Sequence, residues 1–194
     1  MRVRELELSG CFLVTPAPHA DRRGSFHEGF RADLLRRETG RDFPVRQINY
    51  STSRRNTLRG LHGVTVPPGQ AKYVSCVRGA LLDVIVDLRV GSPTFGRHVQ
   101  TTLTPQSGAS ILIDEGMGHG FLALADDTCI SYVLSTTYVP GTQFEINPFD
   151  PDLAIPWPLS EPPLISEKDA AAISVAEAVA SGLLPRWDRA VTRR

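Results

Sequence analysis

Residues 71–89 read AKYVSCVRGALLDVIVDLR, and the kind of fold follows from how that stretch is punctuated. The first part, AKYVSCV, alternates in the manner of a strand with one buried and one polar face. The second, ALLDVIVDL, is continuously apolar except at Asp83 and Asp87, which predicts a central strand. The same pattern runs outward in both directions, from Val45 to Leu134. VRQINYS and TLRGLH come before the stretch, and RHVQTTLT, ASILIDEG, GFLALADD and TCISYVLS follow it. Gly, Pro, Asn and Asp separate these runs at intervals of about 8–12 residues, the spacing of an antiparallel sandwich or barrel. Helical periodicity is confined to the two ends. FRADLLRRETG (30–40) is closed by Gly40, and SEKDAAAISVAEAVASGLL (166–184) opens on Ser166 and stops at Gly182. The expected fold is all-β, one domain over 1–194: a jelly-roll barrel with short helices in its N- and C-terminal parts.

Composition narrows the function classes. The chain has 194 residues, enough for one sizeable core. Its 21 basic and 21 acidic residues balance, so charge gives no reason to expect nucleic acid or a membrane surface as partner. The apolar runs are broken by Asp and too short to span a bilayer. MRVRELELSG lacks the apolar core of a signal peptide. Cys11, Cys76 and Cys129 are odd in number, widely spaced and set in apolar stretches, the pattern of unbridged thiols in a cytoplasmic protein.

A second question comes from residues 56–73, NTLRGLHGVTVPPGQAKY, where Arg59, His62 and Lys72 interrupt an otherwise apolar, Gly- and Pro-rich segment. Each charge must reach water or meet a partner. Residues 115–124, EGMGHGFLAL, add His119 beside glycines. Taken singly, each has an ordinary structural reading: a satisfied histidine, a snorkelling lysine, a rim tyrosine at Tyr132.

Taken together, the motifs carry a resemblance. RRGSFHEGF, VRQINYS, LRGLH with PPGQAKYV, DVIVDLRVGSPTFG, EGMGHGF, and DPDLAIPWP with SEKD follow one another in order and cover nearly the whole chain. They resemble the RmlC-like dTDP-4-dehydrorhamnose 3,5-epimerase family. The resemblance implies a cupin-type jelly roll, a homodimer, no metal or other cofactor, and a dTDP-4-keto-6-deoxyhexose as substrate. Epimerising a carbon beside a ketone needs a base, a holder for the enolate oxygen and an acid on the opposite face. By resemblance His62 is the base, Asp169 its orienting carboxylate, Lys72 the partner of the C4 oxyanion and Tyr132 the proton donor. Arg23 and Arg59 match phosphate and nucleotide contacts, and His119 matches a residue lining the sugar–phosphate site. Glu28, Gln47 and Asn49 match base- and sugar-contacting positions. Tyr138 resembles an aromatic that stacks on thymine, Phe26 a residue lining the nucleotide site, and Lys168 a basic residue near the substrate.

Two positions depart from that pattern. Gly63 and Val64 stand where relatives carry an aromatic residue and Gln, so a larger pocket or a looser loop is expected beside the base. Gln143 falls near a common Glu, with Glu145 two residues on. Because some relatives invert only C3 or only C5, a mono-epimerase is the alternative reading. A non-catalytic sugar-nucleotide binder is a third. A metal-dependent cupin is disfavoured because neither His62 nor His119 has a second His two residues away.

Overall fold

The computed structural model describes residues 1–187. Eight strands match the eight sequence runs: β5 (Gln47–Ser53), β6 (Leu58–Val64), β7 (Lys72–Arg78), β8 (Leu81–Asp87), β9 (His98–Leu103), β10 (Ser110–Ile113), β11 (Met117–Ala123) and β12 (Thr128–Leu134). Five short strands lie outside them: β1 (Arg2–Glu5), β2 (Cys11–Thr15), β3 (His19–Asp21), β4 (Gly24–Phe26) and β13 (Gln143–Glu145). The helices are α1 (Ala32–Thr39), α2 (Glu167–Ala170) and α3 (Val175–Ala180).

The strands form two antiparallel sheets, ordered β1-β2-β10-β7-β12-β5 and β13-β6-β11-β8-β9, with β3 and β4 paired only to each other. Because side chains alternate along a strand, each sheet sends one set inward. Val74, Cys76, Ile111, Ile113 and Ile130 of the first sheet meet Leu81, Ile85, Leu103, Met117 and Phe121 of the second in one buried cluster. This is the interior of a cupin-type jelly roll. β8 is central, as its sequence predicts, lying between β11 and β9.

Both outer faces are partly covered as well, which changes two expectations. AKYVSCV does not have one polar face: Tyr73 and Val74 are both buried, because Leu35 of α1 and Phe43 pack on the outside of the first sheet with Phe12, Leu112 and Tyr73. Residues 166–184 are not one helix. Ser166 caps α2, and a second cap at Ser174 starts α3 afresh. Between them Ile173 pairs with Ile146 in a parallel bridge, an extended backbone that no helix can continue through. The capped α3 then lays Val175 and Ala178 on Leu61, Val84, Val86 and Phe144 of the second sheet. At the other end Gly40 closes α1 with φ +72, as read from the sequence.

Candidate active site

At one end of the interior the apolar filling gives way to a cavity of about 670 Å³ lined from both sheets. Arg59, His62 and His119 come from the second sheet; Asn49, Ser51, Lys72 and Tyr132 come from the first. The strand period explains most of this convergence, since Lys72 shares the face of Val74 and Tyr132 that of Ile130. Arg59 and His62 need more, because residues three apart point to opposite faces of a regular strand. The β6–β11 ladder solves this with a register shift: His119 pairs with His62, but Phe121 pairs with Arg59. That irregularity lets both side chains reach the cavity. Gly60 sits within it at φ +120, where a Cβ would meet Gly120 Cα at 2.5 Å and His119 O at 2.8 Å, so the crossing requires glycine.

His62 is part-buried, and its Nε2 lies 2.7 Å from Oδ1 of the buried Asp169. Asp169 is held from behind, its own N–H donating to Ser166 Oγ at 3.1 Å. Burial lowers the His62 pKa below the usual histidine value and outweighs the opposing pull of Asp169. His62 is therefore a neutral imidazole at pH 7, oriented by a carboxylate. Across the cavity Tyr132 donates to or accepts from Ser51 Oγ at 3.2 Å, and burial pushes its phenol up to about 12. It stays protonated at neutral pH. Lys72 reaches the backbone O of His62 at 3.3 Å, and burial pulls its ammonium down to about 8, against the charge of Asp83. A neutral base, a protonated acid and an ammonium thus share one water-accessible hollow, the combination that proton abstraction next to a carbonyl requires.

The remaining predicted residues divide into two groups. Asn49, Arg59 and His119 line the cavity, with Arg59 Nε donating to Ser53 Oγ at 3.1 Å. Gln47 holds Asn49 and the Tyr138 loop together, its amide donating to Asn49 at 2.9 Å and its oxygen accepting from Tyr138 N at 2.8 Å. The Tyr138 side chain is exposed. Lys168 pairs with Glu145 at 2.5 Å, and Glu145 stands opposite His62 across the β6–β13 ladder. Arg23, Phe26 and Glu28 do not line the cavity of their own chain. Arg23 pairs with Asp21 at 2.7 Å and Glu28 with Arg31 at 3.0 Å, while Phe26 is 69% exposed on the β3–β4 hairpin.

The Gly63 expectation is corrected. The pocket is not enlarged there, because Gly63 faces the outer layer, where the buried ring of Phe144 covers it. Gln143 turns its amide to Val139 O. Three residues with structural parts in the site were missed from sequence: Ser51, Gln70 on the cavity wall, and Asp83, whose Oδ1 lies 2.7 Å from His119 Nε2. Only Asp83 carried a signal, as a carboxylate inside an apolar strand.

Known proteins share this architecture. The family profile described as dTDP-4-dehydrorhamnose 3,5-epimerase matches residues 5–177. The dTDP-4-dehydrorhamnose 3,5-epimerase of Mycobacterium tuberculosis is 46% identical over 191 residues, 97% of this chain and 95% of that one. Among solved structures, NovW, a 4-keto-6-deoxy sugar epimerase from the novobiocin gene cluster of Streptomyces spheroides, superposes with TM-score 0.94 at 45% identity, covering 100% and 96% of the two chains. ChmJ, a 3'-monoepimerase from Streptomyces bikiniensis solved with dTDP-quinovose, gives 0.90 at 45% identity, covering 93% and 91%. With a profile that spans most of its length and relatives this close, the chain belongs to the dTDP-4-dehydrorhamnose 3,5-epimerase family.

Proposed function

We propose that this protein epimerises a dTDP-4-keto-6-deoxyhexose at one or both carbons flanking the C4 ketone. The observation that carries the reading is that His62, paired with Asp169 of α2, and Tyr132 face one cavity from opposite sheets, with Lys72 lining the same cavity. His62 takes the α-proton, and the C–H electron pair moves into the carbonyl to give an enolate. The Lys72 ammonium holds that oxygen, and Asp169 steadies the imidazolium. Tyr132 then delivers its proton to the opposite face of the same carbon, inverting it. Proton exchange with solvent resets the imidazolium and the phenolate.

Arg59, Asn49, Gln47 and His119 hold the sugar and its diphosphate, Arg59 being the cation suited to phosphate oxygens. Tyr138 stacks on the base, and Lys168 lies near the rim. The chain acts as one domain in a cytoplasmic homodimer, with Arg23, Phe26 and Glu28 of each copy serving the cavity of the other. Their distance from the cavity of their own chain supports that exchange. So do exposed Ile48 and Tyr50 on β5, the sheet edge beside the cavity.

The test is proton NMR of dTDP-4-keto-6-deoxyglucose in deuterated water. Loss of the C3 and C5 signals identifies a double epimerase, and loss at C3 alone a 3-epimerase like ChmJ. His62→Ala should slow exchange by roughly 10²–10⁴-fold, the usual contribution of a general base. Exchange by the wild type at neither carbon, with dTDP still bound, would point to the binder reading instead.

A further inference from the structure

Among the described residues, three buried carboxylates, Asp83, Asp87 and Asp150, take no part in the reaction as written, and of these Asp83 is the one bonded to a cavity residue, His119. Asp83 lies on the inward face of β8, in step with Leu81 and Ile85, and is fully buried. A carboxylate among aliphatic side chains is costly unless its oxygens are matched. Oδ1 is matched by His119 Nε2 at 2.7 Å, but Oδ2 is shielded from solvent and has no hydrogen-bond partner among the described residues. On β9 the residue opposite it is the uncharged Thr101, and the titratable groups that share its surroundings come from five other strands. They are Lys72 and Cys76 on β7, His119 on β11, Tyr132 on β12, Arg59 and His62 on β6, and Cys11 on β2. Of the cations among them, Arg59 turns to Ser53 and Thr52, whereas among the described residues Lys72 has a single carbonyl acceptor.

We propose that Asp83 is a positioning residue for the site, acting on His119 of the second sheet and Lys72 of the first. One oxygen fixes His119 with a proton on Nε2, and the other supplies the counter-charge that keeps Lys72 an ammonium where the enolate oxygen develops. It does for Lys72 and His119 what Asp169 does for His62. This rests on the epimerase reading above. The electrostatics agree in sign: burial pulls Lys72 down, and Asp83 is the charge that opposes the fall. Lys72 works in its protonated form, so activity is lost as pH rises through its pKa, and removing Asp83 moves that loss to lower pH.

Asp83→Asn keeps the shape and still accepts from His119. It should shift the alkaline limb of the kcat–pH profile acidward by about one unit or more, the scale set by one nearby opposite charge. At pH 8 kcat should drop about fivefold or more, with KM within about twofold. An alkaline limb that stays where the wild type has it overturns the proposal, whatever the height of kcat. A thermal double-mutant cycle tests the same pairing without substrate and stands if the single variant folds poorly. Asp83→Asn should lower Tm in the wild type but raise it in a Lys72→Met background, where it removes an unpaired charge. An equal loss in both backgrounds would show that Asp83 and Lys72 are not coupled. Because the cycle needs no turnover, its failure is distinct from failure of the epimerase assignment.

Discussion

Gly63 follows the candidate base directly, and its surroundings show how one residue is set by a neighbour far along the chain. A Cβ at this position would lie 2.1 Å from Phe144 Cζ and 2.4 Å from Cε2. The ring is itself buried among Leu61, Ile146 and Leu153 and has little room to move. Gly63→Ala should therefore cost about 1–3 kcal/mol through overpacking, read from thermal melts at fixed protomer concentration. Phe144→Leu in the same background should recover part of the loss, whereas additive losses would mean the two side chains do not compete. The expectation of a widened pocket failed because the sequence shows a missing ring but not which face of the strand it is missing from. The His62, Lys72 and Tyr132 cluster was legible because the motifs come as a set. The Asp83–His119 contact was not, since it joins residues on two strands whose register no local pattern states.

At the level of elements, the eight central strands were readable because each is four to seven residues long with a clear pattern between turn residues. The strands β3, β4 and β13 have three residues each, too few for a period to show, and pairing alone makes them strands. The Ala-rich segment 166–184 illustrates the opposite error. Its composition favours helix throughout, but the Ile146–Ile173 bridge wins locally and splits it. What restarts the helix is a reciprocal cap: Glu177 N donates to Ser174 Oγ at 3.2 Å, and Ser174 N donates to Glu177 Oε2 at 2.8 Å. Removing it with Ser174→Ala should cost about 1 kcal/mol, a fall in Tm of roughly 2–4 °C for a chain of this size. Exchange of substrate protons should persist, because Asp169 is held by the separate cap at Ser166. A variant that loses turnover with an unchanged Tm would show that α3 bears on His62 more directly than its packing indicates.

For the whole molecule, the question is whether one chain is a complete catalyst. The cavity contains the proposed proton-transfer groups, but Arg23, Phe26 and Glu28 sit on a hairpin whose two strands join neither large sheet. An aromatic residue left 69% exposed on such a hairpin is better placed to meet a second molecule than to serve its own. If the proposed homodimer sets each hairpin at the other copy's cavity, the two contacts are equivalent by symmetry. Subunit mixing distinguishes this from service within one chain. A chain carrying Arg23→Ala, Phe26→Ala and Glu28→Ala keeps its base, and a His62→Ala chain keeps its hairpin. Each alone should have kcat/KM far below wild type. After exchange of subunits at equal amounts, half of the dimers are mixed, and each mixed dimer rebuilds one intact site. Activity should then return to roughly a quarter of wild type, the fraction set by random pairing across an isologous interface. If subunit exchange is verified and activity stays at the level of the two parents, each hairpin serves its own chain. The geometry that holds Arg23 away from the cavity would then have to change when the nucleotide binds.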